Sequence, residues 1–93
     1  MTMIDASCAR AEDGGWTCGV TLTDADGSMS SHRVALADED LARLAPGATD
    51  PHELVERSFR FLLAHEPKES ILRSFDLPVI GHYFPDFEPT IRR

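Results

Sequence analysis

His82 is the residue whose neighbours most resemble an acid–base site. It sits in Gly81-His82-Tyr83-Phe84, with Asp86 four residues on and Arg73 nine residues back. An imidazole with a carboxylate, a phenol and a guanidinium in reach is the raw material for proton transfer near neutral pH. No activated nucleophile and no Gly-rich phosphate loop accompanies it, so the plain role is a capping histidine or one at the edge of the core. Arg73, His82 and Asp86 are therefore the polar-site candidates, and no residue is assigned as catalytic. An enzyme using His82, Tyr83 and Arg73 requires those three side chains to converge on one solvent-reached pocket.

The two cysteines are spaced C-x9-C, which matches no zinc or redox motif. In a reducing cytosol they pack as two small hydrophobes. If strands bring them face to face, a cross-strand disulfide is the alternative. A metal site needs two more ligands; His32 could supply one and no fourth is evident, so no metal or other cofactor is expected. His52 and His65 stand thirteen residues apart on one expected helix and cannot share a ligand. Ser58, Ser70 and Ser74 lack a nucleophile elbow. Asp24-Ala25-Asp26-Gly27 resembles the start of a calcium loop but lacks the later acidic ligand, and a hairpin turn explains it better.

Phe75, Tyr83, Phe84 and Phe87 crowd into thirteen residues near the C-terminus. A proline-punctuated aromatic segment either closes over a core or offers a patch to a partner. Tyr83, Phe84, Phe87 and His82 are the candidate interaction surface.

The elements that position these residues follow from periodicity. Trp16, Cys18, Val20 and Leu22 alternate with Thr17, Gly19, Thr21 and Thr23, as in a half-buried strand. Ile4, Ala6 and Cys8 alternate in the same way before a Glu12–Gly15 loop, and His32, Val34 and Leu36 follow the Asp-Gly turn. Pairing Arg10 with Trp16 sets Cys8 against Cys18, Ala6 against Val20 and Ile4 against Leu22; a one-residue slip would bury Asp5 and Ser7. A three-stranded antiparallel meander with one buried face is predicted.

Helices are predicted to follow and to cover that face. Asp38 caps a short one with Leu41 and Leu44 inward, ended by Pro46-Gly47. Asp50 caps the main one, with Pro51 at its first position, Glu53 closing a capping box, and Leu54, Val55, Phe59, Leu62 and Leu63 as its apolar face to about His65. Glu53–Arg57 and Glu56–Arg60 are i,i+4 pairs on it. A third spans 67–75 with Ile71, Leu72 and Phe75 inward and a Glu69–Arg73 pair. A last short one carries Val79, Ile80, Tyr83 and Phe84 up to Pro85. The tail 86–93, with Pro89, is predicted to be extended. The expected core is Ile4, Trp16, Cys18, Val20, Leu22, Val34, Leu36, Leu41, Leu44, Val55, Phe59, Leu62, Leu63, Ile71, Leu72, Phe75 and Ile80.

The fold class is α+β in one domain over 1–93: sheet 1–37, helices 38–85, tail 86–93. Length, 42% apolar and 27% charged residues suit a globular chain with a modest core. No apolar run is long enough for a membrane span. The N-terminus lacks the basic and apolar regions of a signal peptide, so a cytoplasmic address is expected. The net charge of -7 is lopsided: residues 1–50 hold nine acids against three bases. That half repels phosphate, so no nucleic-acid partner is expected.

The stretch Phe59-Arg60-Phe61-Leu62-Leu63, Glu66-Pro67-Lys68-Glu69-Ser70-Ile71-Leu72, Phe75-Asp76-Leu77, Ile80 and Tyr83-Phe84-Pro85 resembles an uncharacterised family of short prokaryotic proteins, to which no activity is attached. The order of sheet then helices resembles, in topology only, the HicB-like antitoxin fold. Three functions are carried forward: a non-enzymatic, self-associating interaction module using the C-terminal aromatics; an antitoxin-like regulator whose acidic half binds a basic partner; and a small enzyme using His82, Tyr83 and Arg73.

Overall fold

Cys8 faces Cys18, Ala6 faces Val20, Ile4 faces Leu22 and Arg10 faces Trp16 across the first two strands, as the alternation requires. The computed structural model describes residues 2–92. Its first three strands, β1 (Met3–Arg10), β2 (Trp16–Thr23) and β3 (Met29–Leu36), form an antiparallel meander. The single register satisfies every apolar pair on the inner face, which is why it is specified so well.

The connections between strands depend on two glycines. Gly27 has φ +87 and closes the Asp24–Ser28 turn, in which Gly27 N–H donates to the Asp24 carbonyl at 2.9 Å. Gly15, at φ +75, brings its backbone so close to β3 that a Cβ there would lie 2.7 Å from the Leu36 carbonyl oxygen. Only glycine fits.

α1 (Asp38–Leu44) buries Leu41 and Leu44. Ala37, not Asp38, precedes its first turn; the Asp38 carboxylate instead accepts bonds from Arg10 at 2.7 Å and from the Gly15 N–H at 3.3 Å. α2 (His52–His65) begins two residues after Asp50, whose carboxylate accepts the His52 N–H at 2.9 Å. The expected cap thus does its work from one residue further out, beyond Pro51. Of the expected ion pairs on α2, Glu56–Arg60 forms at 3.9 Å, while Glu53–Arg57 is not among the pairs found in the described residues. The helix lays Leu54, Val55, Ser58, Phe59, Phe61 and Leu62 into the core and packs against β1.

The segment after α2 departs from expectation. Residues 67–75 are not a helix. A single 3₁₀ turn, Lys68–Ser70, gives way to an extended run and then to β4 (Ser74–Asp76), which pairs parallel to β3. The sheet therefore has four strands, in the order β1-β2-β3-β4. The helical pattern loses here because β3 has unpaired backbone groups on its outer side: Arg33 N–H donates to the Arg73 carbonyl at 2.7 Å. Pulling the chain straight turns Leu72 outward to 47% exposure and leaves Phe75 half-buried, correcting two expected core positions. Ile4, Trp16 and Leu63 are likewise only half-buried, packed on the core's rim.

A second 3₁₀ turn, Leu77–Val79, leads into α3 (Ile80–Tyr83) and then α4 (Phe87–Ile91). Residues 87–91 are thus helical rather than extended, while Arg93 lies outside the described residues. Pro89 falls at the third position of α4, where its missing N–H is not needed. Through α4, Phe87 and Ile91 enter the core; Leu54, Phe61 and Leu77 complete it.

Candidate functional site

The extended Ile71–Arg73 run opens a groove between α2 and α3. Leu62 and Glu66 supply one wall, Ile71, Leu72 and Phe75 the floor and lip, and Val79, Ile80, Tyr83 and Phe84 the other wall. Its volume is about 300 Å³. Ile80 and Ile71 are buried at its base, whereas Tyr83, 68% exposed, and Leu72 stand open to solvent at its rim. The Glu66 carboxylate, the Ser70 hydroxyl and the Tyr83 phenol are its polar side-chain groups. A largely apolar groove of this kind suits an apolar side chain.

His32 holds the lip in place. It is buried on β3, tilted against Phe59 with ring centroids 5.6 Å apart. Its Nδ1 lies 2.7 Å from the Leu72 carbonyl, which can only accept, so Nδ1 carries the proton. Nε2 then faces the Ser30 hydroxyl at 2.8 Å and accepts from it in the neutral ring. His32 is thus a structural clamp rather than a ligand. Its place at the same parity as Val34 was readable in sequence; the Leu72 carbonyl it meets, forty residues away, was not.

The four aromatic candidates separate. Tyr83 and Phe84 line the groove. Phe84 is half-buried, and its ring meets Phe61 edge-on at 5.9 Å. Phe87 is 0% exposed and packs edge-on to Phe61 at 5.3 Å, so it belongs to the core and not to an interaction surface. The reason is α4, which turns Phe87 inward. His82 is exposed and lines a different cleft, beside Trp16, Asp40 and Asp76. Arg73 and Asp86 are exposed; Asp86 borders a third cleft, beside Phe61 and His65. Tyr83 and His82 thus line different clefts, and Arg73 lines neither of them.

Cys8 and Cys18 are joined in a disulfide. The reading of two packed thiols is corrected: the residues stand directly opposite, Cα atoms 4.0 Å apart, which puts the sulfurs within bonding reach. Among the described residues no group of three or more His, Cys, Asp or Glu could hold a metal ion, and no helix is long and apolar enough to cross a membrane.

The Asp24–Ser28 turn has a cation of its own, contributed by the chain. The Lys68 side chain is 3% exposed, and its Nζ lies 2.7 Å from Asp24 Oδ2 and 2.8 Å from Ser28 Oγ, with the Glu69 carboxylate as a third partner. The Lys68 ammonium, with a Thr2 hydroxyl at 2.7 Å, holds the Asp24 carboxyl below its usual range, and the bonds to Asp24 and Glu69 raise the Lys68 pKa in turn. No family model, curated protein or solved structure matches the chain.

Proposed function

We propose that this chain is a non-enzymatic protein-interaction module that self-associates, with the groove around Tyr83 and Phe84 as its contact surface toward apolar side chains. The observation that carries this reading is that two exposed large side chains, Tyr83 and Leu72, line one largely apolar groove. Tyrosine offers contact area at low entropic cost, and large apolar residues left at a concave rim mark sites of association.

The other two readings have less support. The enzyme reading needs a common cleft for His82, Tyr83 and Arg73, and these residues are dispersed. The antitoxin-like reading draws on the acidic half for its basic partner, and three of the nine acids there, Asp24, Asp38 and Asp40, are already paired with Lys68, Arg10 and Arg43. The expected cytoplasmic address also meets a counterweight, because a disulfide suits a compartment less reducing than the cytosol.

A photo-crosslinking benzoylphenylalanine in place of Tyr83 tests the module. Irradiation among the proteins of its source cell should yield a discrete covalent adduct that weakens when Leu72→Asp is added. An unmodified chain at saturating irradiation sinks the reading.

A further inference from the structure

β1 is the open edge of the sheet, with β2 on one side and no strand on the other among the described residues. The ladder shows which of its backbone groups face outward. Ala11 N–H donates to the Gly15 carbonyl at 3.0 Å, in continuation of the register that sets Arg10 against Trp16. Antiparallel ladders alternate bonded with unbonded pairs, so the odd-numbered residues of β1 bond to β2. Cys8 and Cys18, with Cα atoms 4.0 Å apart, then form one of the close, unbonded pairs. The N–H and C=O groups of Ile4, Ala6, Cys8 and Arg10 therefore point away from β2.

Such edges are ordinarily blunted by proline, charged side chains (lysine above all), a bulge or brevity, and β1 carries two charges, Asp5 and Arg10. β1 has eight residues in unbroken register, without proline or lysine. It is also complementary to itself. Turned about a two-fold axis at Ser7, it sets Ile4 against Arg10 and Ala6 against Cys8 of the other copy, and the reverse. These are four bonded pairs, each exchanging two hydrogen bonds, or eight in all. Slipping by two residues either way leaves three pairs. On the outer face Ser7 meets Ser7, Asp5 meets Ala9, and the 73% exposed Met3 meets Ala11. The two Asp5 carboxylates stay apart. Asp5 and Arg10 leave the strand neutral in a chain of net charge -7, so copies meet here with little repulsion.

We propose that a second copy of this chain docks along β1, antiparallel and centred on Ser7, making one continuous eight-stranded sheet across the two-fold axis. The proposal rests on the self-association in the function above and gives it a second contact, along β1, besides the groove.

Light scattering behind size exclusion at tens of micromolar should give twice the chain mass. Ser7→Lys would set two ammoniums against each other at the axis, on an exposed position, and should halve the mass while the far-ultraviolet circular dichroism of the folded chain stays unchanged. Ser7→Cys should link copies on air oxidation, with peptide mapping placing the link between the two introduced thiols. Ala9→Cys, which meets Asp5 in this register, should not. A monomeric parent chain overturns the proposal together with the self-association on which it rests. A dimer that survives Ser7→Lys but separates with Tyr83→Asp overturns the proposal alone and keeps the self-association at the groove. A strand of another protein in this place would appear as crosslinking of Ser7→Cys to a foreign chain in place of its copy, and also counts against it.

Discussion

Lys68 and Asp24 meet at 2.7 Å across forty-four residues, and through that contact the 3₁₀ turn after α2 grips the β2–β3 hairpin turn. The lysine stem is buried while its ammonium is fully bonded. Removing the charge leaves Asp24 with the Thr2 hydroxyl as its remaining side-chain partner.

Lys68→Met keeps the buried stem and should lower the melting temperature by several degrees at pH 7. The pH response fixes the cause. The Asp24 carboxyl is depressed below its ordinary 3.8, so its contribution is complete above that value and lost as pH falls through the depressed one. Glu69 behaves in the same direction. The Lys68 contribution is complete below its ordinary 10.5 and lost as pH rises through its raised value. Thermal unfolding of the parent chain from pH 7 to pH 2 should show an acid loss below about pH 4 that is shallower in Lys68→Met. Parallel curves would assign the lysine's effect to packing alone.

The disulfide closes a short loop around Gly14 and Gly15, and constrains the unfolded chain accordingly. With a sequence separation of 10, loop-closure entropy gives about 2–3 kcal/mol. Urea unfolding with and without reductant, and of the Cys8→Ala/Cys18→Ala pair, should differ from the oxidised parent by that amount. Equal midpoints would show that the bond does not form in solution.

Phe87 and Tyr83 separate core from surface. Phe87 is fully buried with its ring edge-on to Phe61, so Phe87→Ala should cost about 3–5 kcal/mol. Tyr83→Ala, at an exposed rim, should cost less than about 1 kcal/mol. Paired urea curves read both, and similar losses would mean that Tyr83 packs inward.

Much of this architecture was legible in the sequence because its signals were local. Strict alternation in 4–8 and 16–22 specified the β1–β2 register to the residue, and the stripe of α2 followed from a 3.6-residue period. What escaped was decided at a distance. Glu69 and Arg73 sit at helical spacing, yet the open side of β3 needed a partner, and backbone bonds to Arg73 outweighed the local preference. Pro85 and Pro89 suggested an extended tail, although a proline in the first turn of α4 costs that helix nothing. The groove depends on both events, since one lip is the straightened Ile71–Arg73 run and its other wall is anchored by α3 ahead of the buried Phe87. For the same reason His82 and Tyr83, neighbours in sequence, open onto different clefts.

His32 is the joint between sheet and groove, which makes it the sharpest test of how the groove is held. His32→Leu conserves apolar bulk against Phe59 but removes the bonds to the Leu72 carbonyl and the Ser30 hydroxyl. The loss should be about 1–3 kcal/mol, the cost of leaving those partners without a bond. It should also be local. β4 is three residues long and is held by β3 alone, so without the clamp its opening should become easier than unfolding of the whole chain. Amide exchange at Ser74–Asp76 should therefore accelerate more than exchange along β2. Uniform acceleration along both strands would show that His32 stabilises the core as a whole and does not act as the groove's hinge pin.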